Sequence, residues 1–325
     1  MHGGAGGSAC GFSLAGASRL RFVLKFTAVL MALCAGGAAV WFAVDRYRYR
    51  FVRTDQDLIT LLPPGDLTTF FIDFAALRRG GLLHLFTGIT PASEKDYRDF
   101  MASTHFDYAR DMDALAGGIN GGQIFFLMRG RFDWGKLRQF AIAHDGACDD
   151  DACQAPGTQP HRWVNFIRIQ PDTVAVAISQ NSTAADFMRP PGRRLQDTSP
   201  GDPVWVSVSP TLLKDPATLP KPLQIFAISL QAAQSVLLSA GHAEHSNEAF
   251  TVQLEAVFPN APSADTSRKQ LQIQTRMLQL ELARENQQPN PADLTGLLTA
   301  GTFQSGNSHV FGTWPVRKEL LKALE

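Results

Sequence analysis

The stretch Thr68-Thr-Phe-Phe-Ile-Asp-Phe-Ala-Ala-Leu-Arg78 decides the fold. Its first seven residues are β-branched and aromatic around a single acid, so they read as a buried strand. Asp73 is placed to cap a short helix around Ala75–Arg79. The signature returns at Val204-Trp-Val-Ser-Val-Ser-Pro-Thr-Leu-Leu-Lys214. There Val204–Val208 is the strand, Ser209 the cap, and Leu212-Leu213-Lys214 stand where Ala76-Leu77-Arg78 stand.

Working outward, further landmarks recur in the same order. Gln123-Ile-Phe-Phe-Leu-Met-Arg129 reads as a strand, and Phe132-Asp133 leads into a helix carrying Leu137 and Phe140. Phe250–Val257 followed by Phe258-Pro259 and a helix is its parallel. Trp163–Ile169 and Val174–Ile178 flank the turn Gln170-Pro-Asp-Thr173 as a hairpin, with Ala184–Met188 after it. Thr302–Thr313, broken at Ser305-Gly-Asn-Ser308, is the second hairpin, closed by a helix at Val316–Leu324. The landmarks are offset by 136, 126 and 134 residues, the signature of an internal repeat. The expected fold class is therefore α+β: two similar modules, residues 66–190 and 203–325, each an antiparallel or mixed sheet with helices on one face. The Pro/Gly/Arg/Asp-rich stretch 191–202 links them.

Between the landmarks, Ser93 with Asp96 opens a long helix as a capping box. Tyr97, Met101, Thr104, Tyr108, Met112 and Leu115 recur in it at spacings of three and four, and Gly117-Gly118 closes it. Asp111 and Asp113 then fall on its solvated face. A helix is expected over Ser263–Glu285 and a short one over 291–301.

Upstream, Phe26–Val44 is a run of 19 residues without a charge, long enough as a helix to cross the ~30 Å hydrocarbon layer. Lys25 can snorkel, while Trp41, Tyr47 and Tyr49 suit the far interface. A cleaved signal peptide competes with this reading, but continuation through Val40-Trp-Phe-Ala-Val44 exceeds the usual ~7–15 residue apolar core. The expected order is a tail at 1–19, a membrane helix at 20–45 in contact with the lipid bilayer, and a juxtamembrane linker at 46–65. That linker includes a short helix, Asp55–Leu62, stopped by Pro63-Pro64-Gly65.

The chain has 325 residues, 45% apolar and 18% charged, enough to bury a substantial core. Lys+Arg and Asp+Glu both total 30. Seven of the basic residues lie in 1–53 beside one acid, leaving the rest mildly acidic. Basic residues confined to one end do not make the phosphate-neutralising face of a nucleic-acid binder, so no nucleic-acid partner is expected. They also nearly balance across the apolar run, so cysteines decide the orientation. Only Cys148 and Cys153 lie in the body, four residues between them in a polar turn, and a disulfide there persists only in an oxidising compartment. The body is expected outside the cytoplasm.

No motif identifies a reaction, and no cofactor is expected. His144, Cys148, Cys153 and His161 could surround a tetrahedral zinc, but the spacing differs from the common C-x2-C knuckle. The simpler reading is a Cys148–Cys153 disulfide with two surface histidines. His242-Ala-Glu-His245 with Glu248 has a metal-like composition but matches no zinc-hydrolase motif. Gly306-Asn-Ser-His-Val310 lacks the second glycine of a nucleophile elbow, and Gly117-Gly118…Gly121-Gly122 precedes a strand, the wrong order for a phosphate loop. Asn181-Ser-Thr183 is a glycosylation sequon only in a cell with that machinery.

Gly130-Arg-Phe-Asp133 after a strand and Gly312-Thr-Trp-Pro-Val316 near the end give the body a layout similar to uncharacterised bacterial single-span membrane-anchored proteins. That resemblance implies anchorage and supplies no catalytic residues. The expectation is a membrane-anchored extracytoplasmic binding or scaffold protein, with a possible envelope protein partner. The alternatives are an envelope hydrolase whose site forms only in the fold, or a zinc-binding domain using the 144–161 loop.

Overall fold

The computed structural model describes residues 54–83, 95–190, 201–215, 221–241, 250–317, 319 and 320, within one compact unit, Val52–Glu325. The expected membrane helix 20–45, the His242–Glu248 cluster and most of the linker 191–202 lie outside the described residues. Among the described residues no helix is long and apolar enough to cross a membrane.

The chain is a mixed α/β structure with one large antiparallel sheet. In chain order the elements begin with α1 (Asp55–Thr60), β1 (Thr68–Asp73), α2 (Phe74–Arg79), α3 (Lys95–Thr104), α4 (Tyr108–Asp111), β2 (Met112–Asn120) and β3 (Gln123–Gly130). Then come α5 (Trp134–Ala143), β4 (Ala147–Cys148), β5 (Ala152–Pro156), β6 (Trp163–Gln170), β7 (Thr173–Ser179) and a 3-10 turn (Ala184–Met188). After the linker follow β8 (Val204–Val208), α6 (Pro210–Lys214), α7 (Lys221–Ser229), β9 (Ser235–Gly241), β10 (Phe250–Val257), α8 (Ala261–Arg284), α9 (Leu294–Thr299), β11 (Thr302–Gly306) and β12 (His309–Val316).

The twelve strands form a single sheet in the order β11-β12-β10-β9-β8-β1-β2-β3-β7-β6-β5-β4. Outward from the centre, β1-β2-β3-β7-β6 on one side is matched by β8-β9-β10-β12-β11 on the other. The two segments are thus halves of one sheet, joined where β1 pairs with β8. At the join Phe70 faces Val206, flanked by Thr69 opposite Ser207 and Phe71 opposite Trp205. The pairing is antiparallel about Phe70 and Val206. The seam is tied further by Asp73 N–H to the Pro203 carbonyl (2.7 Å) and Ser209 N–H to Thr68 Oγ1 (3.1 Å).

Local chemistry places the elements. Asp73 Oδ1 accepts from Ala76 N–H at 2.6 Å and Ser209 Oγ from Leu212 N–H at 3.2 Å, starting α2 and α6. Asp133 and Asn260 do the same for α5 and α8. Two expectations are corrected. The long helix from Ser93 to Leu115 stops at Thr104. His105 takes a left-handed φ of 60°, Asp107 caps the single turn α4, and Met112–Asn120 becomes a strand. Helices are also not confined to one face. Strands such as Ile124–Met128 and Val174–Ile178 are apolar at nearly every position, which calls for cover on both sides.

On the face carrying Phe71 and Trp205, Leu58, Leu61 and Leu62 from and just after α1, with the 3-10 turn, pack over Ala114, Ala116, Phe125, Leu127, Ala175 and Ala177. A helix as short as α1 has no stability of its own. Its leucines supply it, at ~1.5–3 kcal/mol for each buried side chain. The opposite face carries Phe70 and Val206. Over the second half it is covered by α6–α9, through Leu213, Ala264 and Leu271 against Leu254, Phe303, Val310 and Trp314. A third cluster, Phe74, Leu77, Phe106, Met112, Phe250 and Val316, draws on both halves.

Candidate functional site

The residues singled out for chemistry resolve one by one. Cys148 and Cys153 face each other across β4 and β5 and are joined by a disulfide (S–S 2.01 Å). With both sulfurs bonded to each other, neither is a thiolate available to zinc. His144 is exposed at the end of α5, its Nδ1 2.8 Å from the Phe140 carbonyl and its ring 4.1 Å from that of Phe140. His161 is exposed in a loop with a left-handed φ of 59°. Among the described residues no three His, Cys, Asp or Glu side chains gather to hold a metal ion. His309, after the β11–β12 turn, meets Glu255 at 3.0 Å, while Asn181 closes an Asx turn onto Thr183.

Asp111 is corrected from a solvated position to a buried one. Its carboxylate accepts from Arg110 Nη2 at 2.7 Å, Arg131 Nη2 at 3.1 Å and Asp107 N–H at 3.0 Å. The Arg110 guanidinium, reinforced by Arg131, holds its pKa far below the usual carboxylate range despite burial. Nearby, Arg78 donates to Asp113 at 2.7 Å and to the carbonyls of Ala109 and Met112. This network pins α4 and the start of β2 to the end of β3. Every strong acceptor in it is occupied by a cation, so it is a structural clamp with no free base.

What remains is surface. Among the described residues twelve large apolar side chains are exposed, and seven of them, Leu223, Ile225, Ile228, Ile273, Met277, Leu280 and Leu294, lie on α7, α8 and α9. On α8 the spacing is telling. Leu271, Thr275 and Leu282 are buried, while Ile273, Met277 and Leu280 are 55–59% exposed on the opposite side. A helix packed only against its own sheet needs one apolar stripe, and this one has two. Lys269, Arg276 and Arg284 are exposed on the same helix. Lys269 pairs with Asp265 at 2.7 Å, and it lowers the Asp265 pKa with help from Arg268. The second stripe was readable in Ile273-x3-Met277-x2-Leu280, but segments of mixed period obscured it.

No family model matches the chain, and no curated protein matches it. Among solved structures it is similar to TP0453 in three crystal forms. Form I has 11% identity and a TM-score of 0.47, with 84% of this chain and 98% of that one covered. Form III has 12% identity and a TM-score of 0.46, covering 82% and 97%. Form IV has 11% and 0.44, covering 83% and 97%. At these values the likeness says nothing of function.

Proposed function

We propose that this chain is a membrane-anchored binding or scaffold protein. Its body, built from two copies of one α+β module, stands outside the cytoplasm and engages a protein partner of the envelope. The observation that carries this reading is the second apolar stripe of α8, Ile273, Met277 and Leu280, held in water by a helix already packed on its other side. Large apolar groups concentrated on one layer mark an interaction surface. Lys269, Arg276 and Arg284 would form its polar rim and favour an acidic partner surface. Two features support the location: the uncharged run Phe26–Val44 and the disulfide Cys148–Cys153. The matching strand orders about the Phe70–Val206 pair support duplication.

The test places a photo-crosslinking amino acid at position 277 of the full chain in its own membrane. Crosslinking to another envelope protein, lost on Ile273→Lys, is the expected result. A crosslinker at 277 that leaves only free monomer would refute the surface. Protease added to cells with a permeabilised outer layer should digest the body, and full protection until lysis would reverse the orientation.

A further inference from the structure

Asn181-Ser-Thr183 has the pattern of an N-glycan acceptor, an asparagine followed two residues on by threonine, with a residue other than proline between them. It is the chain's only such triplet. The pattern alone does not make an acceptor, because the asparagine must also stand in water with its amide nitrogen free. The fold meets both conditions. Asn181 and Thr183 are exposed between β7 and the 3-10 turn Ala184–Met188. Thr183 donates twice to Asn181 Oδ1, from its backbone N–H at 3.0 Å and from its hydroxyl at 3.0 Å. Only the oxygen of a carboxamide can meet an N–H, so these bonds fix which way the side chain is turned. Nδ2 is left as the atom with no hydrogen bond among the described residues.

The turn is held by two buried side chains. Asn165 on β6, 3% exposed, donates from Nδ2 to the Asn181 carbonyl at 3.3 Å and accepts at Oδ1 from Ala185 N–H at 2.8 Å. Ser179, 1% exposed, accepts from Asn181 N–H at 3.1 Å. Ala184 N–H also donates to the Asn181 carbonyl. Both backbone groups of Asn181 are thus satisfied within the body. None of these bonds uses Asn181 Nδ2, so a substituent there breaks none of them.

The same contacts bear on reactivity. A carboxamide nitrogen is a weak nucleophile because its lone pair is delocalised onto the oxygen. As Nδ2 gives up a proton, negative charge gathers on Oδ1, where the two Thr183 donors already point, so the geometry stabilises the reactive form. Valine at 183 would keep the backbone donor and lose the hydroxyl.

We propose that Asn181 of the folded body is an acceptor for N-linked glycosylation, with a lipid-pyrophosphate-linked oligosaccharide as donor. Nδ2 attacks the anomeric carbon of the first sugar, and the new C–N bond forms as the C–O bond to pyrophosphate breaks. The lipid pyrophosphate leaves with the electron pair, and the proton from Nδ2 passes to a base of the transferase. Such transfer takes place on the extracytoplasmic side of a membrane, the side proposed above for the body, but the acceptor geometry does not depend on that placement.

The test uses the full chain, purified folded in detergent, with a single-subunit oligosaccharyltransferase that requires only Asn-x-Ser/Thr and with the lipid-pyrophosphate oligosaccharide. The digested product is read by mass spectrometry. Detergent removes membrane sidedness from the outcome, so failure here would strike the acceptor site and leave the binding reading and the orientation untouched. The expected result is a glycan on Asn181, absent in Asn181→Gln, retained in Thr183→Ser and reduced about tenfold or more in Thr183→Val. No product on the folded chain, under conditions that modify a free peptide of residues 178–186, would mean that the fold hides the acceptor and would overturn the proposal. Equal yields from the wild type and Thr183→Val would overturn it as well.

Discussion

Asp111→Asn tests the clamp that joins α4 and β2 to β3. The carboxylate is buried, yet both guanidiniums that serve it are about two-thirds exposed. Removing one member of a fully buried ion pair costs about 3–5 kcal/mol because the other charge is stranded. Here Arg110 and Arg131 rehydrate, and the screened pairs alone are worth little. The lasting loss is the charge on an acceptor of several hydrogen bonds, so the cost should be about 2 kcal/mol. For a body of this size that is a fall of roughly 4–8 °C in Tm.

The pH dependence gives a signature that mere loss of packing lacks. The folded-state pKa of Asp111 is depressed, chiefly by Arg110. Its contribution is therefore complete above the unfolded value of about 3.9 and is lost as pH falls toward the folded value. Thermal melts of the full chain in detergent should show the gap between wild type and Asp111→Asn widest at pH 6–7 and narrowing from about pH 4 downward. A gap under 1 °C at pH 7, or one unchanged at pH 2, would refute this reasoning.

Cys148→Ser with Cys153→Ser should leave the body folded. The loop is short, so the chain-entropy estimate is only about 2 kcal/mol, and metal analysis should find no stoichiometric zinc. Chelator-induced unfolding would contradict this and return His144 and His161 as ligands. Thr275 Oγ1 is buried with no hydrogen-bond partner among the described residues. Thr275→Val should therefore raise stability by up to about 1 kcal/mol in denaturant melts, whereas a loss of that size would mean that a bound water satisfies the hydroxyl.

Much of the fold was legible because caps and hairpin turns are local. Asp73, Ser209 and the turns at Pro171-Asp172 and Gly306-Asn307 announce themselves within four residues. Strand β2 was not legible. Ala114, Ala116, Gly117 and Gly118 carry little strand propensity, and Met112 and Leu115 chance to continue the spacing of the preceding helix. Their small size has a tertiary cause: the alanines lie under the α1 leucines, and a Cβ on Gly117 would meet the Phe70 ring at 2.2 Å. Strand β9 (Ser235–Gly241) was missed for want of a clear alternation.

The central pairing of β1 with β8 also bears on how such a chain can be divided. Cut at the linker, each half would keep its outer strands but expose along β1 or β8 a row of bare N–H and C=O groups beside Phe70 and Phe71, or Val206 and Trp205. An unpaired, apolar edge of that kind is what natural sheets take most care to hide. Because β1 pairs antiparallel in the sheet, a released first half could pair β1 with β1 of another copy of itself, Phe70 against Phe70. Continuity of the polypeptide therefore does more than connect the halves: it keeps the stickiest strand of each permanently satisfied by its sister, and so keeps the molecule from polymerising through its own middle.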